Sequence, residues 1–169
     1  MIYKIRAAVA DDHPFLWQML YYAAHMNESG ESPESARLNS DLRPYVEGFG
    51  RPGDLGVIAI DPATNAEAGA AWLRTMPPPW PLYRFVDAGT PELAIAVAPA
   101  HIGRSAGSQM IARLLADAAA IYPAVALSVR ADNPAKALYE SMGFVIVAEI
   151  TNRVGGKSFI MRAPLTWPL

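Results

Sequence analysis

Apolar positions along the chain change spacing in an order that lays out a fold. Ile2 to Ala7 reads as a short strand. Behind Asp11-Asp12, which offers a cap, Phe15, Leu16, Met19, Leu20 and Ala23 recur at helical spacing. The segment Asn27 to Ser32 is polar and turn-rich. A second helix is expected from Pro33 to Phe49, where Gly50, Pro52 and Gly53 stop it. Gly56 to Ile60 and Ala68 to Thr75 are apolar runs joined by the polar stretch Asp61 to Asn65, the pattern of an antiparallel hairpin. Met76 to Pro91 is a proline-rich loop whose Pro77, Pro78 and Pro79 favour a stiff path, either as a packed surface loop or as a substrate wall.

The second half alternates more regularly. Leu93 to Val97 is β-prone and ends at Pro99. A helix follows from Ser105 or Ala106 to Ile121, with Ile111, Leu114, Leu115 and Ala118 along one stripe. Val125 to Val129 reads as a strand, Pro134 to Met142 as a short helix, and Phe144 to Ile150 and Lys157 to Met161 as two strands around Gly155-Gly156. The resulting order is βααβββαβαββ, with no internal repeat.

Composition narrows the function. The 169 residues, 52% of them hydrophobic, suit one domain over residues 1–169. With 14 Lys+Arg against 16 Asp+Glu and no basic block, nucleic acid is not an expected partner. The lack of a long charge-free apolar run argues against a membrane partner, and the acidic turn in MIYKIRAAVADD argues against a secretory leader, so a cytoplasmic location is expected. There is no cysteine, and His13, His25 and His101 lack metal-ligand spacing, so no metal is expected and the chemistry falls to oxygen and nitrogen groups.

Two segments can carry that chemistry. In VAPAHIGRSAGSQMIARLL (Val97 to Leu115), a loop of small residues feeds a helix N-terminus, where several backbone N–H groups without helical partners suit a pyrophosphate. Gly103 and Gly107 allow close approach, Ser105 and Ala106 add little bulk, and Arg104 brings a cation. By itself the loop is equally a glycine turn entering a helix. In ADNPAKALYESMGF (Ala131 to Phe144), Asn133 is a natural cap, Pro134 sits at the first helical position and Gly143 supplies a left-handed exit. Ala137, Leu138 and Met142 are expected to face the core. Tyr139 reads on its own as a packing aromatic with its hydroxyl at the surface.

Together and in this order, a strand ending V-x-P, a loop opening a helix, a strand, and then N-P-A-x-x-L-Y-x-x-x-G-F resemble the GNAT superfamily of acyl-CoA-dependent N-acetyltransferases. The resemblance is close over Glu92 to Ile150 and implies an α/β domain. Its expected features are a mixed, mostly antiparallel sheet of six to seven strands, helices on both faces and a splayed parallel strand pair. The family pattern Q/R-x-x-G-x-G/A falls on Ile102, Gly103, Arg104, Ser105, Ala106 and Gly107. Ile102 replaces the usual Gln or Arg, and Ser105 replaces the first motif glycine. Ser105 keeps its main-chain N–H, and binding is expected to survive with its φ negative.

What the resemblance implies for the site is specific. Acetyl-CoA is the co-substrate; Ile95 and Val97 supply backbone contacts to its arm. The loop Ile102, Gly103, Arg104, Ser105, Ala106, Gly107 and Ser108 holds its phosphates, and Asn133 touches it. Tyr139 protonates the leaving thiolate, as a phenol with a pKa near 10 can. Glu92 is the candidate general base, although the family carboxylate falls one residue earlier, at Pro91, and such a shift in a strand reverses the face. His101 is a second candidate. The expected reaction is direct transfer of acetyl to a primary amine of a small molecule or protein N-terminus in a ternary complex. The competing readings are a catalytically weak acyl-CoA-binding or sensing module and a fold relative recruited for protein interaction. Pairing of terminal strands, with Trp167 as the contact, would make a homodimer. Acceptor choice falls to Tyr21, Tyr22, His25, Glu31, the Pro/Trp loop and Arg153, none of them diagnostic.

Overall fold

The computed structural model describes residues 1–165, so Trp167 lies outside the described residues. Seven strands, β1 (Lys4–Ala7), β2 (Leu55–Ile60), β3 (Glu67–Arg74), β4 (Glu92–Val97), β5 (Ala124–Arg130), β6 (Val145–Thr151) and β7 (Lys157–Pro164), are joined by four helices. These are α1 (His13–Ala23), α2 (Glu34–Leu38), α3 (Ala106–Ala118) and α4 (Ala135–Ser141). The strands hydrogen-bond in the order β1-β2-β3-β4-β5-β7-β6. β1 with β2, β2 with β3, β5 with β7 and β6 with β7 are antiparallel, and β4 with β5 is parallel. The chain forms two compact units, Met1–Arg74 with Ala94–Leu114, and Thr75–Leu93 with Leu115 onward.

In the first unit, Leu16, Met19 and Leu20 of α1 are buried with Ile58, Ile60, Ala70 and Trp72 of the β2-β3 pair. Neighbouring strand residues point to opposite faces, so Gly69 turns away from this cluster. A Cβ at Gly69 would stand 3.0 Å from Met110 Cε and 2.8 Å from the Ala96 carbonyl oxygen. Glycine is therefore required there for β3 to lie against β4, and α1 and α3 occupy opposite faces of β3. Gln109 and Arg113 of α3 also reach β1 and its lead-in: Tyr3 N–H donates to Gln109 Oε1 at 2.8 Å, and Arg113 Nη1 donates to Ile5 O at 3.4 Å.

The expected helix from Pro33 to Phe49 is broken. α2 stops at Leu38, Asn39 is extended with ψ 117°, and only a 3-10 turn, Arg43–Tyr45, follows. Two local causes act: Asn39 Oδ1 accepts the Asp41 N–H at 2.8 Å, and Pro44 disfavours helix at Arg43 and has no N–H of its own. Side chains of β3 take up carbonyls of this segment. Trp72 Nε1 donates to Tyr45 O at 2.8 Å, and Arg74 Nη1 donates to Pro44 O at 2.9 Å and Glu47 O at 2.7 Å. Asp12 does not cap α1; its carboxylate takes the Val9 N–H at 2.7 Å and both terminal nitrogens of Arg6.

In the second unit, β5 is the most buried strand, with Ala124 to Leu127 between 0% and 2% exposed. It pairs along its whole length with β7, from Ala124↔Pro164 to Arg130↔Ser158. Its parallel pairing with β4 holds at Glu92↔Ala126, where Ala126 N–H donates to Pro91 O at 3.1 Å. This is the one parallel pair in the mixed sheet of the described residues, as expected. β6 carries the exposed Val145, Ile146 and Val147, and a register shift between Ile146 and Ala148.

Candidate active site

In the first unit, the turn Pro99–His101 leads to Gly103 at φ 80° and Ser105 at φ 69°, and α3 begins at Ala106. Gln109 N–H donates to the Ser105 carbonyl at 3.3 Å. The amides of Ala106, Gly107 and Ser108 precede that bond and have no carbonyl four residues back within the helix, which makes this end a natural anion cradle. Ile102 to Ser105 are exposed, and a Cβ at Gly103 would meet nothing within 4 Å, so a ligand can approach. Arg104 is exposed and can swing a guanidinium over the cradle. Ile102, at 68% exposure, offers only an apolar side chain where the family pattern has a polar one.

Ser105 corrects one expectation. Its φ is positive, not negative, so a residue with a Cβ holds a left-handed conformation, which glycine adopts without steric cost. The carbonyl of Ser105 accepts from the Ser108 hydroxyl at 3.1 Å as well as from Gln109, which helps to hold the turn. Ile95 and Val97 lie beyond the β4-β5 pairing position, both half-buried. His101 is committed elsewhere: its Nδ1 is 3.3 Å from Tyr3 Oη and 4.0 Å from Asp61 Oδ2.

In the second unit, α4 runs from Ala135 to Ser141, one residue shorter at each end than read, with Pro134 in the cap position. Asn133 Oδ1 accepts the Ala135 N–H at 2.9 Å, and Gly143 exits at φ 99°. The buried face differs from the expected one. Ala137 is exposed and Leu138 and Met142 are half-buried, whereas Tyr139 is 7% exposed, its ring edge-on to Phe144 with centroids 6.0 Å apart. Tyr139 is therefore a core aromatic, and burial pushes its phenol up to about 12. Lys136 and Glu140 form an ion pair on the outer side of the same helix.

Glu92, at the start of β4, is 5% exposed. Trp80 Nε1 donates to its Oε1 at 2.9 Å. Sequence reasoning missed this link. Its only trace was an indole inside a proline-stiffened loop that returns to the strand bearing the carboxylate. The loop is firmly held: Leu82 is buried with Ala126 and Ile160, Met76 N–H donates to Tyr83 Oη at 2.9 Å, and the Tyr83 hydroxyl donates to Thr90 O at 3.3 Å. It is a packed loop. Between Pro78 and Ala88 it encloses an open cleft of about 400 Å³.

An amide cradle in one unit, and a buried carboxylate and a buried phenol in the other, are the features of this α/β chain that can carry chemistry. Residues 55–146 match the acetyltransferase (GNAT) domain model. The chain belongs to the GNAT acetyltransferase family. Solved structures agree in fold. A putative GNAT-family acetyltransferase from Bordetella pertussis superposes with TM-score 0.69 at 18% identity, covering 95% of this chain and 94% of that one. A phosphinothricin acetyltransferase from Sinorhizobium meliloti, solved with AcCoA, gives 0.68 at 21% identity, covering 100% and 94%. A mutant spermidine N-acetyltransferase from Vibrio cholerae gives 0.65 at 19%, covering 96% and 95%. No curated protein matches. Among the described residues, no helix is long and apolar enough to cross a membrane, and no group of three or more His, Cys, Asp or Glu is placed to hold a metal ion.

Proposed function

We propose that this chain acts as a single N-acetyltransferase domain, transferring acetyl from acetyl-CoA to a primary amine of a small molecule or protein N-terminus by direct attack in a ternary complex. The observation that carries this reading is the family match across residues 55–146, which contains the amide cradle, Glu92 and Tyr139. The coenzyme residues are the amides of Gly103 to Ser108 with Arg104, the backbone of Ile95 and Val97, the exposed edge of Ile102, and Asn133. The solved Sinorhizobium meliloti relative with AcCoA supports the choice of co-substrate.

The proton steps fall to two groups. Glu92 takes the proton of the acceptor ammonium or amine, so that the nitrogen lone pair can form the C–N bond at the acetyl carbonyl. The C–S bond breaks, and the Tyr139 hydroxyl gives its proton to the departing sulfur. A phenol raised to about 12 is fully protonated at neutral pH and stays available as a donor, at some cost in acid strength. The chain works in the cytoplasm, where acetyl-CoA and free amines meet.

A second reading, a weak acyl-CoA-binding or sensing module, is favoured by one observation: Ile102 and the left-handed Ser105 both depart from the phosphate-loop pattern. Calorimetric titration with acetyl-CoA, beside desulfo-CoA and ATP, separates the cases. Micromolar binding abolished by Gly107→Trp, followed by turnover with an amine panel, supports the enzyme. Binding without turnover supports the sensor, and no binding up to millimolar coenzyme defeats both.

A further inference from the structure

The cleft of the Pro78–Ala88 loop is walled by Pro79, Trp80, Pro81 and Tyr83, with Arg84 at its rim. Three observations bear on what it could receive. Its wall is held at both ends by the Tyr83 hydroxyl and anchored by buried Leu82, so it need not be ordered at binding cost. Trp80 is half-buried, its N–H on Glu92, which places the aromatic wall one hydrogen bond from the candidate base. Arg84 is exposed and makes no ion pair among the described residues.

Resting on the acetyltransferase reading, we propose that this cleft is the acceptor's side-chain subsite and that the acceptor is a primary amine with an aromatic or planar apolar body and a carboxylate. About 400 Å³ accommodates a one-ring molecule. Indole, phenol and proline faces favour a ring over a flexible polar chain. The guanidinium recognises the carboxylate with paired N–H donors and repels a polycation. Trp80 acts as a positioning residue: its indole N–H fixes the Glu92 carboxylate while its ring contacts the body of the acceptor.

The test measures amine binding by calorimetry, with and without desulfo-CoA, and acetyl transfer in parallel. The probes are L-phenylalanine, phenethylamine (ring without carboxylate) and spermidine (polycation without ring). Phenylalanine is expected to bind best. Arg84→Ala should weaken it roughly three- to tenfold while leaving phenethylamine unchanged. Trp80→Leu should weaken both ring probes by about tenfold. Trp80→Phe keeps a ring and removes the N–H, so it should lower kcat with KM nearly constant, a split that mere loss of loop packing would not produce. Circular dichroism checks that each variant is folded. A preference for spermidine, or phenylalanine binding indifferent to both Arg84→Ala and Trp80→Leu, overturns the proposal even if acetyl-CoA is used normally. Phenylalanine binding in a chain that takes no acetyl-CoA keeps the subsite and sinks the acetyltransferase reading.

Discussion

The two units bury charged and polar groups to different ends. In the first, Arg74 is 1% exposed, its Nε 3.2 Å from Asp54 Oδ1 and its Nη2 3.1 Å from Asp54 Oδ2. Nη1 goes to two backbone carbonyls, and Asp54 also takes the N–H groups of Gly50 and Arg51, both at 3.0 Å. Burial pulls the Arg74 guanidinium below its ordinary pKa, and Asp54 acts against that shift. In the second unit, the buried Glu92 receives a neutral indole N–H, and the buried Tyr139 meets only an aromatic edge among its described ring contacts. The Asp54 carboxylate, bonded to a guanidinium and two backbone amides, ties β3 to the segment that leads into β2 and serves the architecture. The Glu92 carboxylate instead takes an N–H from the aromatic loop that walls the cleft, which ties the proposed proton-transfer group to that loop.

Four substitutions probe that contrast. Glu92→Gln, which keeps an acceptor for Trp80, should lower kcat by about 10²–10⁴-fold in a chain that still folds; a normal rate would strip Glu92 of its role as base. Asp54→Ala should do the reverse, costing about 3–5 kcal/mol by leaving Arg74 buried without its counter-charge, measured by urea unfolding. An Asp54→Ala protein of unchanged stability would erase the distinction between the units. Tyr139→Phe should slow transfer with acetyl-CoA affinity preserved, and it carries a pH signature. The folded phenol sits near 12 against an ordinary 10, so its stabilising effect is complete below pH 10 and is lost as pH rises towards 12. At 1.36 kcal/mol per unit the loss is about 3 kcal/mol across that window, and the Phe variant should lack it in unfolding experiments. Smallest is Ser105→Gly, which relieves the left-handed residue and should stabilise by about 1 kcal/mol with coenzyme affinity equal or higher. Weaker acetyl-CoA binding in Ser105→Gly would show the serine side chain to be part of the site.

Much of the architecture was legible because its signals are local. Asn133, Pro134 and Gly143 specify α4 within a dozen residues, and the apolar run around Val125 to Val129 marks a buried strand whatever its neighbours. The long helix expected over Pro33 to Phe49 failed where a local competitor, Asn39, and Pro44 outweighed helical spacing, and where Trp72 and Arg74 from β3 received carbonyls of the broken segment. The site divides in the same way. Its cradle is a stretch of consecutive residues and could be read directly; the sign of φ at Ser105 and the face of α4 that buries Tyr139 depend on packing that periodicity does not encode. The Trp80–Glu92 bond joins residues whose pairing no spacing rule predicts, and it is the contact on which the proposed base depends.

To a protease, the Pro78–Ala88 loop presents a contradiction. It is an exposed surface segment with a basic residue, Arg84, inside the 3-10 turn Pro81–Arg84, and so carries the mark of a trypsin site. Cleavage, however, requires the chain to leave its turn and lie extended in the enzyme's groove. Here that means releasing the Tyr83 hydroxyl from both ends of the loop and drawing Leu82 out of its packing with Ala126 and Ile160. Limited digestion should therefore leave this segment intact until the second unit itself opens, which makes nicking after Arg84 a clock for that opening.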